Sequence, residues 1–203
     1  MYFLMHSRLE TNFAANMTAI QAVRPKLHQK IVAASVAHSY ELRVVDAQSG
    51  LYNIHDTLQQ MPVFKDIFEE LKTTIKEVTH FGEEPYIYLY GISNGFILNF
   101  LLQNSMHHRI CLFEPELEML FTAMHLYDFA LAITTHRLVL IDAKRFAPEE
   151  AKIVLSTDER VWQTQRLILL PNGIYYKEHY KEHYKELWLK TAQTLANILK
   201  NVS

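Results

Sequence analysis

The chain has 203 residues, 49% of them hydrophobic, enough for one substantial core, and its 20 Lys and Arg against 22 Asp and Glu leave a net charge of -2. That balance argues against nucleic acid or another polyanion as a partner, since the 11 histidines add positive charge only in mild acid. A single cysteine, Cys111, excludes an internal disulfide and a Cys-rich zinc site and suits a reducing compartment.

The apolar start, Met1 to Met5, is too short for a signal segment, and no later run reaches the roughly 18 uninterrupted apolar residues of a membrane span, so a cytoplasmic location is expected. Five Gly and six Pro, with no Ser/Gly or Pro tract, give no flexible linker. One α/β domain over residues 1–203 is expected, with an N-terminal region of helices and a small β-hairpin (1–82), a Rossmann-like parallel core (83–173) and a long C-terminal helix (174–203).

Phe13, Met17, Ile20 and Val23 recur at helical spacing within Leu9 to Val23, and Arg24-Pro25 interrupts before a second helix around Leu27 to Ala34. Tyr40 to Asp46 and Leu51 to Ile54, rich in β-formers and separated by Ser49-Gly50, predict a hairpin. Phe64, Ile67, Phe68, Leu71, Ile75 and Val78 mark an amphipathic helix ended by His80-Phe81-Gly82, with Pro85 beyond. Tyr86 to Tyr90, Ile110 to Phe113, Leu138 to Ile141 and Leu167 to Leu170 are uniformly apolar, as strands buried on both faces must be. Helices are predicted between them at Phe96 to Gln103, Glu116 to about Phe129, and from Pro148 to about Leu155. After Pro171-Asn172-Gly173, one long helix is expected from Tyr175 to Leu199. It contains a tandem KEHY at 177–180 and 181–184.

The turn Tyr90-Gly91-Ile92-Ser93-Asn94-Gly95 is the best candidate for a ligand site. A strand that ends in a glycine turn and opens a helix presents backbone N–H groups and a helix dipole to an anion. Glu114, ending the next strand, stands where an acidic residue meets ribose hydroxyls, and Asp142 ends the third strand in the same register. The expected cofactor-binding set is therefore Gly91, Ser93, Asn94, Gly95, Glu114 and Asp142, for a nucleotide or a CMP-sugar. The middle glycine of G-x-G-x-x-G is replaced by Ser93, and the alternative is that the glycines only permit a tight turn while Glu114 caps the following helix.

His179 and His183 sit i, i+4, with Glu182 and Glu186 near. The alternating Lys and Glu around them read as a solvated helix face, and no metal site or H-E-x-x-H pattern is assigned. There is no P-loop, Ser93 is not in a G-x-S-x-G elbow, and no catalytic residue is assigned. Tyr176, Tyr180, Tyr184 and Trp188 form a stripe expected to pack internally or against a neighbouring domain.

Tyr88-Leu89-Tyr90-Gly91, Asn94-Gly95, Leu101-Leu102-Gln103-Asn104, Phe113-Glu114-Pro115-Glu116-Leu117-Glu118 and Asp128-Phe129 together resemble the N-terminal domain of the motility accessory factor family. Asn12-Phe13, Asn16-Met17 and Ser49 to Ile54 fit the same pattern, while Ser93 departs from the Gly or small residue expected there. The resemblance implies part of a multidomain glycosyltransferase that moves nonulosonic acids, such as pseudaminic or legionaminic acid, from CMP-activated donors to Ser or Thr of flagellin. It further implies a role in flagellar assembly, catalysis in a following domain, and flagellin and that domain as partners. The rival readings are an S-adenosylmethionine-dependent methyltransferase using the same turn, and a pure interaction module.

Overall fold

The computed structural model describes residues 2–46, 49–81, 84, 86–105, 109–145 and 169–200. Helix α1 (Tyr2–Val23) ends at Arg24, whose non-helical backbone turns the chain into α2 (Pro25–Ala34), with proline at the first helical position where its missing N–H costs nothing. Arg24 Nη1 donates to the carbonyl of Leu140 at 2.6 Å, which ties this corner to the sheet.

The expected hairpin forms from β1 (Tyr40–Asp46) and β2 (Leu51–Asp56), with a register shift before the Ser49-Gly50 turn. A third strand, β3 (Met61–Pro62), joins β2 and makes a three-stranded antiparallel sheet. Helix α3 (Ile67–Thr79) starts at Asp66, whose side chain accepts the Glu69 N–H at 3.2 Å. Phe64 precedes the helix and is buried, whereas Phe68 is 62% exposed, so the apolar stripe read from the sequence is split between core and surface.

The centre is a four-stranded, wholly parallel sheet: β4 (Tyr86–Tyr90), β5 (Arg109–Glu114), β6 (Leu138–Asp142) and β7 (Leu169–Pro171). Their spatial order is β6-β5-β4-β7, the Rossmann-like arrangement in which the chain reverses direction of winding at β4. Every residue of β4 is buried, which is why that run is apolar without alternation. Cys111 on β5 is 1% exposed, and burial pushes its thiol up to about 12, leaving it an inert packing group. The helix expected from Pro148 and the first residues of the fourth strand, Leu167 and Ile168, lie outside the described residues.

Helix α4 (Phe96–Asn104) follows β4 as expected. The single helix expected from Glu116 to Phe129 is instead α5 (Leu117–Ala123), an irregular turn, and α6 (Ala130–Thr134). Asn16 on α1 accounts for the interruption. Its Nδ2 donates to the carbonyls of Met124 at 2.8 Å and Tyr127 at 2.7 Å, while its Oδ1 accepts the Phe129 N–H at 2.7 Å. One wholly buried amide thus supplies the bonds that a continuing helix would have made. Replacing Asn16 with Ala leaves three backbone groups without their partner and is expected to cost about 2 kcal/mol in urea denaturation, with an unchanged midpoint as the contrary result.

The C-terminal segment is also not one helix. It divides into α7 (Ile174–His179) and α8 (Lys181–Lys200), with Tyr180 at the break in a non-helical conformation. One contiguous apolar cluster runs from Met17 through the parallel sheet to Leu187.

Candidate functional site

The winding reversal places the end of β4 where open α/β folds bind ligands, and the turn there carries three left-handed residues: Gly91 (φ 92°), Ser93 (φ 50°) and Gly95 (φ 77°). Ser93 holds a conformation that a glycine adopts freely, and its Oγ compensates by donating to the Asn172 carbonyl at 2.9 Å. Asn94 donates from Nδ2 to the Tyr52 carbonyl at 2.7 Å, joining the turn to the small sheet, and its Oδ1 accepts the Phe96 N–H at the start of α4. Gly91, Ser93, Asn94 and Gly95 are all buried.

Glu114 comes to the same place from β5 and is completely buried. Its Oε2 accepts the Ile92 N–H at 2.7 Å and the Tyr176 hydroxyl at 2.8 Å, and its Oε1 accepts the Glu116 N–H at 2.8 Å. Burial pushes this carboxyl up to about 8, against the three donors, which favour the charged form. Asp142 pairs with Glu114 across the β5–β6 ladder, yet its carboxylate is engaged by Lys30 of α2 at 2.9 Å. The six residues read from the sequence as a ligand set are therefore gathered at the carboxyl ends of the strands. All of their side-chain polar atoms described above are bonded within the chain.

Two residues not singled out in the sequence as site residues, Asn172 and Tyr176, do most of the bonding. Asn172 continues the ladder from β7, donating from its N–H to the Tyr90 carbonyl at 2.8 Å, and its Nδ2 reaches the carbonyls of both Gly91 and Ile92 at 3.0 Å. Tyr176 projects from α7 over Gly91. A Cβ at Gly91 would lie 2.3 Å from the ring, and the Ser93 N–H donates to the Tyr176 hydroxyl at 3.3 Å. The Ser93 N–H and the space over Gly91 that would receive a phosphate or a methionine moiety are thus taken by Tyr176 of the C-terminal segment, and the Ile92 N–H by Glu114.

Its neighbours hold α7 in the same way. Tyr175 donates its hydroxyl proton to Asp56 at 2.7 Å, Tyr180 to Glu116 at 2.7 Å, and Tyr184 to the Leu169 carbonyl at 2.8 Å. The repeated KEHY units are consequently not equivalent. His179 stacks on Tyr175, whereas His183 lies half-buried with Nδ1 2.6 Å from the Tyr90 hydroxyl, and burial lowers its pKa. The Lys and Glu residues of the repeat are exposed, as a solvated face requires, but its tyrosines and His183 face the domain. The sequence signal for this was the aromatic stripe at 176, 180 and 184, which packs internally.

A second concave feature lies apart from this point. A groove of about 700 Å³ is bounded by α1, the Ser49-Gly50 turn, α3, α4 and the irregular turn before α6. It is assembled from five separate segments, and no local motif announces it. Among the described residues, no cluster of His, Cys, Asp and Glu is arranged to hold a metal ion, and no helix is long and apolar enough to cross a membrane.

No protein-family model matches the chain, and no curated protein sequence does. Among solved structures, the chain is similar to the MAf glycosyltransferase from Magnetospirillum magneticum AMB-1, with a TM-score of 0.56 and 14% identity, over 92% of this chain and 35% of that one. The chain therefore spans about a third of the length of that protein, and at this identity the likeness is one of fold.

Proposed function

We propose that this chain is the N-terminal accessory domain of a motility accessory factor-type glycosyltransferase, a non-catalytic part of an enzyme that glycosylates flagellin with a nonulosonic acid from a CMP-activated donor. Its partners in this reading are flagellin and a following catalytic domain. The observation that carries the proposal is the agreement of two independent likenesses: the motif series from Tyr88 to Phe129 resembles that family, and the backbone of nearly the whole chain is similar to part of a MAf glycosyltransferase. The sealed turn supports the non-catalytic role, because its Ile92 and Ser93 N–H groups, donors of the kind that a nucleotide fold uses for its ligand, are taken by Glu114 and the Tyr176 hydroxyl. The methyltransferase reading has no comparable support, since its ribose partner, Glu114, has no exposed surface.

The test is genetic and chemical together. In-frame removal of these residues in the organism that carries them is expected to leave flagellin without its sugar mass, while the purified chain alone transfers nothing from CMP-sugars to flagellin. Flagellin of unchanged mass in the deletion strain, or turnover by the isolated chain, contradicts the proposal.

A further inference from the structure

We propose that strand β1 is a dimerisation edge, pairing antiparallel with β1 of a second copy of this chain about a twofold axis through Leu42. The surface belongs to the small sheet, apart from the sealed turn, and goes beyond the transferase reading, on which it does not depend.

The small sheet has the order β1-β2-β3, and its two edges are unlike. Strand β3 is only two residues, Met61–Pro62, and its proline has no N–H to offer, so that edge is blunted. Strand β1 runs for seven residues, Tyr40–Asp46, with neither the proline nor the lysine that commonly guards an edge. A register shift between Val44 and Asp46 ends its regular stretch.

Hydrogen bonding shows which backbone groups lie along the open side. The Thr57 N–H donates to the Ser39 carbonyl at 2.9 Å, so Ser39, and by strand alternation Glu41 and Arg43, aim their backbone groups at β2. The partner strand agrees: Ile54, opposite Leu42, turns its carbonyl to β3, where it accepts the Val63 N–H at 2.8 Å. The N–H and C=O groups of Tyr40, Leu42 and Val44 therefore face away from β2. Among the described residues, nothing pairs with them. The side chains beside them are open too: Val44 is 51% exposed, and Glu41 and Arg43 lie in solvent, 3.8 Å apart on the same face.

A second copy is the occupant because the strand is complementary to itself. Antiparallel pairing sets outward-facing residues opposite one another, and an axis at Leu42, perpendicular to the sheet, does this. Leu42 meets Leu42 and Tyr40 meets Val44, each pair exchanging N–H···O=C bonds in both directions. The same register places Glu41 of each strand opposite Arg43 of the other, in the positions without backbone bonds, where side chains come closest. An axis at Arg43 would also satisfy the backbone, but it sets Arg43 against Arg43. Charge thus selects Leu42. Joining two three-stranded sheets in this way leaves the blunted β3 at both outer edges, so the assembly closes as a dimer.

The experiment is sedimentation velocity on the chain at concentrations from about 1 µM to about 1 mM, since one added strand makes a small interface and half-dimerisation is expected at about 10–500 µM. Glu41→Arg and Arg43→Glu each set like charges opposite one another in both halves of the ladder. At these exposed positions the fold is insensitive to the change, and each variant should associate about tenfold more weakly or worse, less so in high salt. The double variant Glu41→Arg/Arg43→Glu restores both cross-strand pairs and should return to within about threefold of the parent. It cannot do so if the axis lies at Arg43 or if the copies meet elsewhere. A chain that stays monomeric throughout, a dimer indifferent to the single reversals, or a double variant that fails to recover overturns the proposal, and none of these outcomes bears on whether flagellin loses its sugar in the deletion strain.

Discussion

Gly91→Ala is expected to be among the most damaging single substitutions in the chain, costing about 3–5 kcal/mol, because it combines backbone strain with overpacking against a fixed ring. The new Cβ would lie 2.3 Å from two atoms of the Tyr176 ring and 2.4 Å from a third, at a φ of 92° that side-chain-bearing residues rarely adopt. Tyr176 has no room to yield, since the ring is completely buried and its hydroxyl is held by Glu114 and the Ser93 N–H. A double-mutant cycle isolates the contact. Tyr176→Ala alone leaves a cavity worth about 3–5 kcal/mol, but in that background Gly91→Ala should add only its conformational strain, so that the two effects fall short of additivity by about 1–3 kcal/mol. Additive losses in urea denaturation would mean that the ring does not lie over Gly91.

The second large effect is a dependence on pH. Burial pushes the Glu114 carboxyl up to about 8, while in the unfolded chain it titrates near its ordinary 4.5. Between those values the folded protein binds a proton that the unfolded chain lacks, so this stabilisation is complete below about 4.5 and is lost as pH rises through about 8. The fall should approach about 1.4 kcal/mol per pH unit within the window. His125 and His183, whose pKa values burial lowers below 6.5, act with the opposite sign on the acid side, and the clean interval therefore lies above 6.5. Glu114→Gln cannot ionise and is expected to flatten the profile there, whatever it does to overall stability. A parent whose stability rises from pH 6.5 to 8, or a variant with the parent's slope, contradicts the assignment.

The parallel sheet was readable because burial on both faces leaves no alternative to continuous apolar runs, as Tyr86 to Tyr90 and Ile110 to Phe113 show. The break at Arg24-Pro25 was equally legible, since proline acts locally. What the sequence did not disclose depends on contacts distant along the chain. The apolar spacing after Ala123 continues a helical pattern, and only Asn16, more than a hundred positions earlier, holds Met124 to Phe129 out of helix. The KEHY repeat carries uniform helical propensity, so nothing local marks Tyr180, whose hydroxyl is drawn to Glu116, as the break. The glycine turn was recognised for its conformation and the carboxylate for its register. That their partner would be Tyr176 required the tertiary fold.

The chain's own C-terminal segment occupies the end of β4, where Tyr176 lies over Gly91 and accepts the Ser93 N–H. Hydrogen exchange at the amides of Ile92 and Ser93, which donate to Glu114 and Tyr176, tests it most directly, measured with and without CMP. Both amides are expected to exchange only through global unfolding, at rates that CMP leaves unchanged. Rapid exchange that CMP slows would show instead that the turn opens and that a nucleotide takes the place of Tyr176.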